Sequence, residues 1–189
     1  MRSECVHSDA ETEAVQEQET KPKREQAASL EKLVASCVKQ LKKRGLTIAT
    51  AESCTGGLLA GKLVDIPGVS EVFQEGYVTY SNKAKRKLLN VRKSTLKKYG
   101  AVSKQTAREM AIGAVFEANA DISLSVTGIA GPDGGTEEIP VGLVFIACCL
   151  NDKVTVKEYH FEGDRAAVRA QAVESALRLL KKTMAESKE

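Results

Sequence analysis

The chain has 189 residues and a formal charge of +3, from 28 basic and 25 acidic side chains, and it holds only two histidines, His7 and His160. A single domain of this size can bury a core without metal or disulfide staples, while any Ser-His-Asp triad or multi-histidine metal site would have to rest on His160 alone. The five cysteines, Cys5, Cys37, Cys54, Cys148 and Cys149, form no C-x-x-C pair, and no signal peptide or apolar run of membrane-spanning length accompanies them; reduced thiols, a cytoplasmic location and no membrane contact are expected.

Residues 1–28 hold four basic and seven acidic side chains and scarcely a large apolar one. Such a stretch cannot offset the entropy of ordering, so a disordered acidic leader is expected, followed by one domain over residues 29–186. From Leu30 the apolar positions Leu33, Val34, Cys37, Val38 and Leu41 follow one face of a helix that should stop at Gly45. A nominal S-x-x-K, Ser36 to Lys39, lies off that apolar stripe and reads as surface. Leu46–Thr50 is a first strand; it breaks at Ala51-Glu-Ser-Cys-Thr-Gly-Gly57 before Leu58, Leu59, Leu63 and Val64 resume helical spacing. Strand, small polar turn and helix is the layout of an α/β binding site.

Phe73–Tyr80 reads as a strand and Asn82–Leu89 as a short helix. Ser103 is placed to cap a helix with Ala107, Met110, Ala111, Ala114, Val115 and Ala118 inward. Ile122–Val126 is a buried strand running into the glycine-rich stretch Thr127–Gly135. Val141–Leu150 and Val154–Phe161 form a hairpin about Asn151-Asp152, with Cys148 and Cys149 as buried small hydrophobes and His160 as a core or edge residue. Asp164 caps a last helix with Val168, Ala172, Ala176, Leu179 and Leu180 inward. The alternation predicts a single layered α/β/α domain on a mixed sheet.

Two glycine-rich turns thus follow two buried strands, where open α/β sheets bind ligands; neither carries a Walker or G-x-G-x-x-G pattern. The first holds Ser53, Cys54 and Thr55 together. Cys54 would need a histidine to become thiolate, whereas Ser53 can take a lysine of lowered pKa as its base. Residues 83–98 supply eight basic side chains and no acid, and cations packed about one lysine favour its neutral form. The same run suits a solvated face or a nucleic-acid patch, although little aromatic interleaving accompanies it and nucleic acid is not the expected partner.

Thr50-Ala-Glu-Ser-Cys-Thr-Gly-Gly57, Gly76-Tyr-Val-Thr-Tyr-Ser-Asn82 with Lys85 three on, Gly100-Ala-Val-Ser103, Thr127-Gly-Ile-Ala-Gly-Pro-Asp-Gly-Gly135, Pro140-Val-Gly142 and Phe161-Glu-Gly-Asp-Arg165 together resemble the CinA C-terminal domain family. The likeness runs over about residues 30–183. Characterised members are nicotinamide mononucleotide deamidases, so the resemblance implies hydrolysis of that carboxamide to nicotinic acid mononucleotide and ammonia, with no cofactor and no metal. It implies Ser53 as nucleophile, Lys85 rather than Lys83 as general base, and Tyr80 as a third member that relays a proton or holds the lysine. Backbone N–H groups of Cys54, Thr55, Gly56 and Gly57 are expected to receive the oxyanion. Asn82, Thr127 and Gly128 are expected to line the substrate, and Arg165, aided by Gly134 and Gly135, to hold its phosphate. Many relatives carry a further N-terminal domain, so the chain looks like the standalone form. Relatives also form dimers, which implies a homodimer or higher homo-oligomer with the hairpin as interface. The competing reading is a non-catalytic nucleotide- or nucleic-acid-binding module that uses residues 83–98.

Overall fold

The computed structural model describes residues 21–187. Helix α1 runs Lys21–Arg44, so residues 21–28, expected in the leader, are helical instead; residues 1–20 lie outside the described residues. The early start has a local cause: Pro22 suits a first helical turn, and the Lys, Arg, Glu, Gln and Ala that follow are good helix formers. The helix stops where expected. Gly45 adopts φ +62, and the Gly45 and Leu46 N–H groups bond back to the Lys42 and Leu41 carbonyls, which satisfies its last turn.

Five strands form the sheet: β1 Ile48–Glu52, β2 Phe73–Val78, β3 Ile122–Gly128, β4 Leu143–Leu150 and β5 Lys153–His160. They lie in the order β2-β1-β3-β4-β5. β2, β1 and β3 are parallel, while β4 and β5 run antiparallel to their neighbours. The sheet is therefore mixed. Asn151 (φ +48) and Asp152 (φ +62) form the two-residue turn between β4 and β5, both with the positive φ that a type I′ hairpin requires.

Helices α2 (Leu58–Val64) and α6 (Arg165–Glu186) join α1 on one face. Alternate strand residues, Ile48, Ile122, Leu124, Val126, Val144 and Ile146, point into that layer. The other face carries α3 (Asn82–Leu89), α4 (Lys93–Tyr99) and α5 (Lys104–Ala118). Here the strands present Ala49, Ala51 and Ala147 to Ala107, Met110, Ala111 and Ala114. Small residues on both sides bring α5 so near that Ser123 and Ser125 of β3 donate hydrogen bonds to the α5 carbonyls of Ala111 and Ala107, each at 2.7 Å. Buried hydroxyls are thereby satisfied without water. Ser103 caps α5 by accepting from the Thr106 N–H at 3.2 Å, and Asp164 caps α6 by accepting from the Ala167 N–H at 2.8 Å. No described helix is long and apolar enough to cross a membrane.

From β1 the chain passes through α2 to β2 on one side of β1, then through α3 to α5 to reach β3 on the other. The strand order reverses at β1, so a crevice opens at the carboxyl ends of β1 and β3, the position where open α/β sheets take ligands.

Candidate active site

Ser53 is the first residue beyond β1, and its backbone N–H donates to the Val126 carbonyl of β3 at 2.9 Å. That bond fixes the residue at the mouth of the crevice. On the neighbouring strand, β2 ends at Val78 and the chain turns at Ser81, whose hydroxyl caps α3 by accepting from the Ala84 N–H at 3.0 Å. The first turn of α3 then aims Lys85 inward, where its ammonium donates to the Thr79 carbonyl at 2.7 Å and to Ser53 Oγ at 2.9 Å. Lys85 is 1% exposed, whereas Lys83 faces solvent. Burial drives the Lys85 pKa down from 10.5 to about 8, against a small opposing effect of Cys54. The cause differs from the sequence expectation. Lys83, Arg86 and Lys87 are all exposed, and desolvation rather than cationic neighbours favours the neutral amine.

Seven of the expected site residues, Ser53, Cys54, Tyr80, Lys85, Thr127, Gly128 and Arg165, line one cavity of about 220 Å³. Thr127 donates its hydroxyl to the Ala101 carbonyl at 2.7 Å. Gly128 has no room for a side chain, since a Cβ there would lie 2.6 Å from the Leu143 carbonyl oxygen. Tyr80 lines the cavity, and among the described residues no hydrogen bond joins it to Lys85. It is 63% exposed and accepts a hydrogen bond from Arg165 Nη2 at 3.2 Å, while Lys85 is held by Thr79 and Ser53. Arg165 also donates to the Gly131 carbonyl at 2.8 Å. Cys54 sits beside the serine, but burial pushes its thiol up to about 11, which leaves it protonated and a poor nucleophile near neutral pH.

Asn82, Thr55, Gly56, Gly57, Gly134 and Gly135 do not line this cavity. Asn82 is exposed at the start of α3, and Gly134 and Gly135 are exposed in the loop after β3. The start of α2 is already occupied: the Glu52 carboxylate, 1% exposed, accepts from the N–H groups of Gly57 at 2.9 Å, Leu59 at 3.1 Å and Ala60 at 2.8 Å. The Gly56 N–H bonds to the Ser53 carbonyl at 3.1 Å. Two of the four expected oxyanion donors are therefore spent, and among the described residues the Cys54 and Thr55 N–H groups have no oxygen partner. The Thr55 hydroxyl is buried without a hydrogen-bond partner among the described residues.

Three residues went unnoticed in the sequence reading. Glu52 is one; a carboxylate placed just ahead of a helix start is the signal that could have disclosed it. Arg169 is the second, donating from α6 to the Cys54 carbonyl at 3.1 Å and the Thr55 carbonyl at 2.8 Å. Asp133, in the loop after β3, lines the cavity with Arg165. His160 is exposed at the end of β5, 3.0 Å from Glu158, away from this cavity. Among the described residues no group of three His, Cys, Asp or Glu side chains could hold a metal ion.

Comparison with known proteins shows the family. Residues 30–184 match the CinA C-terminal domain. A putative competence-damage inducible protein of Clostridium novyi (strain NT) is 57% identical over 146 residues, covering 77% of this chain and 35% of that protein. A CinA-like protein of Kosmotoga olearia is 53% identical over 156 residues, covering 82% of this chain and 37% of that protein. The chain thus spans little more than a third of the length of these curated relatives. Among solved structures, the competence/damage inducible protein CihA from Agrobacterium tumefaciens is 43% identical with a TM-score of 0.80, covering 83% of this chain and 96% of that one. A CinA superfamily protein from Klebsiella pneumoniae 700603 is 37% identical with a TM-score of 0.81, covering 84% and 99%. With most of its length matched in sequence and fold, the chain belongs to the CinA C-terminal domain family.

Proposed function

We propose that the chain is a serine–lysine amidase that hydrolyses the carboxamide of nicotinamide mononucleotide to nicotinic acid mononucleotide and ammonia. The observation that carries the reading is a buried lysine amine of lowered pKa at 2.9 Å from a serine hydroxyl in a cavity at the strand ends. The choice of substrate is supported by the resemblance to family members that deamidate nicotinamide mononucleotide.

In the neutral form the Lys85 amine still donates one hydrogen to the Thr79 carbonyl and turns its lone pair to the Ser53 hydroxyl. As Ser53 Oγ attacks the carboxamide carbon, its proton passes to Lys85. Of the turn's backbone N–H groups, that of Cys54, a residue lining the cavity, is the donor offered to the oxyanion that forms. Lys85 then gives its proton to the amide nitrogen, the C–N bond breaks and ammonia leaves. Water attacks the resulting ester while Lys85 takes its proton, and return of that proton to Ser53 Oγ releases the acid. Arg165, exposed and charged beside the cavity, serves the phosphate.

The test is ammonia release from nicotinamide mononucleotide across pH. Only the neutral amine acts as base, so kcat/KM should rise about tenfold per unit below pH 8 and level off above it. A flat profile between pH 6 and 9, or no ammonia at all, removes the reading. Arg165 gives a separate expectation. Arg165→Ala should raise KM for nicotinamide mononucleotide by about 10- to 100-fold, since a charge-assisted hydrogen bond is lost, and leave nicotinamide riboside, which has no phosphate, nearly unchanged. Equal effects on the two substrates would place the phosphate elsewhere.

A further inference from the structure

Ser53 stands at the head of a turn in which Gly56 (φ +59) and Gly57 (φ +95) both occupy the positive-φ region that favours glycine. Two buried or half-buried charged side chains hold it. From the β1 side the Glu52 carboxylate ties the turn to the first N–H groups of α2. From α6 the Arg169 guanidinium grips the carbonyls of Cys54 and Thr55. Neither side chain lines the cavity, so neither is placed to touch substrate. Each nonetheless holds a part of the turn that carries Ser53. A peptide unit is planar and trans, so fixing the Cys54 carbonyl on Arg169 fixes the orientation of the whole peptide that follows Cys54. Fixing the α2 start on Glu52 sets the distance between the end of β1 and the turn that follows Ser53.

We propose that Glu52 and Arg169 are positioning residues that clamp the Ser53–Gly57 turn and so keep Ser53 Oγ on the Lys85 amine. The proposal rests on the Ser53–Lys85 reading above.

Its test uses two readouts. One is the rate at which a fluorophosphonate labels Ser53, followed by intact mass, which requires no knowledge of the natural substrate; the other is kcat and KM for ammonia release from nicotinamide mononucleotide. Arg169→Met keeps an apolar stem and removes the guanidinium. It should slow labelling and lower kcat by about 10- to 100-fold, the loss expected when a reacting group is misplaced by a fraction of an ångström to an ångström, with KM within about threefold of wild type. Arg169→Lys, which can still reach one carbonyl, should recover part of the rate. The pH midpoint of kcat/KM in Arg169→Met should also move up toward the ordinary lysine value, because a loosened turn admits water to the amine. Glu52→Gln should behave likewise; if that buried substitution prevents folding, the half-buried Arg169 still decides the matter. Labelling and turnover of Arg169→Met within about threefold of wild type, with an unmoved midpoint, would overturn the clamp while leaving the amidase reading in place. A wild-type chain that neither takes the label at Ser53 nor releases ammonia overturns both.

Discussion

Ser53→Ala is expected to lower ammonia release from nicotinamide mononucleotide by at least about 10,000-fold, the scale seen when a nucleophile that acts as part of a unit is deleted. The fold should survive. The bond that seats residue 53 runs from its backbone N–H to the Val126 carbonyl at 2.9 Å, and alanine keeps it. Lys85 loses one partner but retains the Thr79 carbonyl at 2.7 Å. A small shift in melting temperature together with lost turnover is therefore the expected result. Turnover surviving in this variant would end the acyl-enzyme mechanism, and Cys54 would not replace it, since its thiol is pushed up to about 11. The binding-module alternative makes the opposite forecast: ligand retention that ignores Ser53, falls steeply with salt and depends on the exposed cations of α3 and α4.

Lys85→Met is expected to abolish turnover and, in the same variant, to change how stability depends on pH. The folded-state value of about 8 lies below the ordinary 10.5. Between those values the unfolded chain binds more protons than the folded one, so the wild type gains stability as pH rises through that window. At one unit per 1.36 kcal/mol the gain is about 3 kcal/mol. Below pH 8 the folded wild type bears the full cost of a buried ammonium, and methionine of similar length does not. Denaturant unfolding of both chains from pH 7 to 10.5 measures this as a changing difference. A difference that stays constant across that range would show that Lys85 titrates normally, and the proposed base would lose its physical footing. Lys83→Ala, at an exposed position two residues away, should leave both turnover and the pH dependence of stability close to wild type.

Much of this architecture was legible in the sequence because the signals were local. The caps at Ser103 and Asp164, the stop at Gly45 and the hairpin about Asn151-Asp152 each depend on residues within a few positions of one another. The helix α4 escaped notice for the same reason: Lys93–Tyr99 buries Thr95 and little else, so no apolar stripe announces it. The start of α1 was missed because propensity alone, without an apolar face, extends it to Lys21. At the site, choosing Lys85 over Lys83 needed the motif register, and burial then separated the two. The oxyanion assignment needed more than sequence could give. Gly56 and Gly57 looked like free donors, and only the fold reveals that Glu52 and Ser53 have already taken their N–H groups. Arg169 reaches residues more than a hundred positions earlier, a contact that topology creates and no local pattern foretells.

Arg165 and Arg169 lie four positions apart on α6, one turn of the same helix face, and α6 is the last element described in the chain. Proteins are synthesised from the amino terminus, so the serine, the lysine and the glycine-rich loop all leave the ribosome before either arginine does. Until α6 docks, the turn that carries Ser53 lacks its Arg169 contacts and the crevice lacks Arg165. On the amidase reading, chemical competence would therefore wait on the docking of α6. A nascent or carboxyl-terminally truncated chain would carry Ser53 and Lys85 without either arginine.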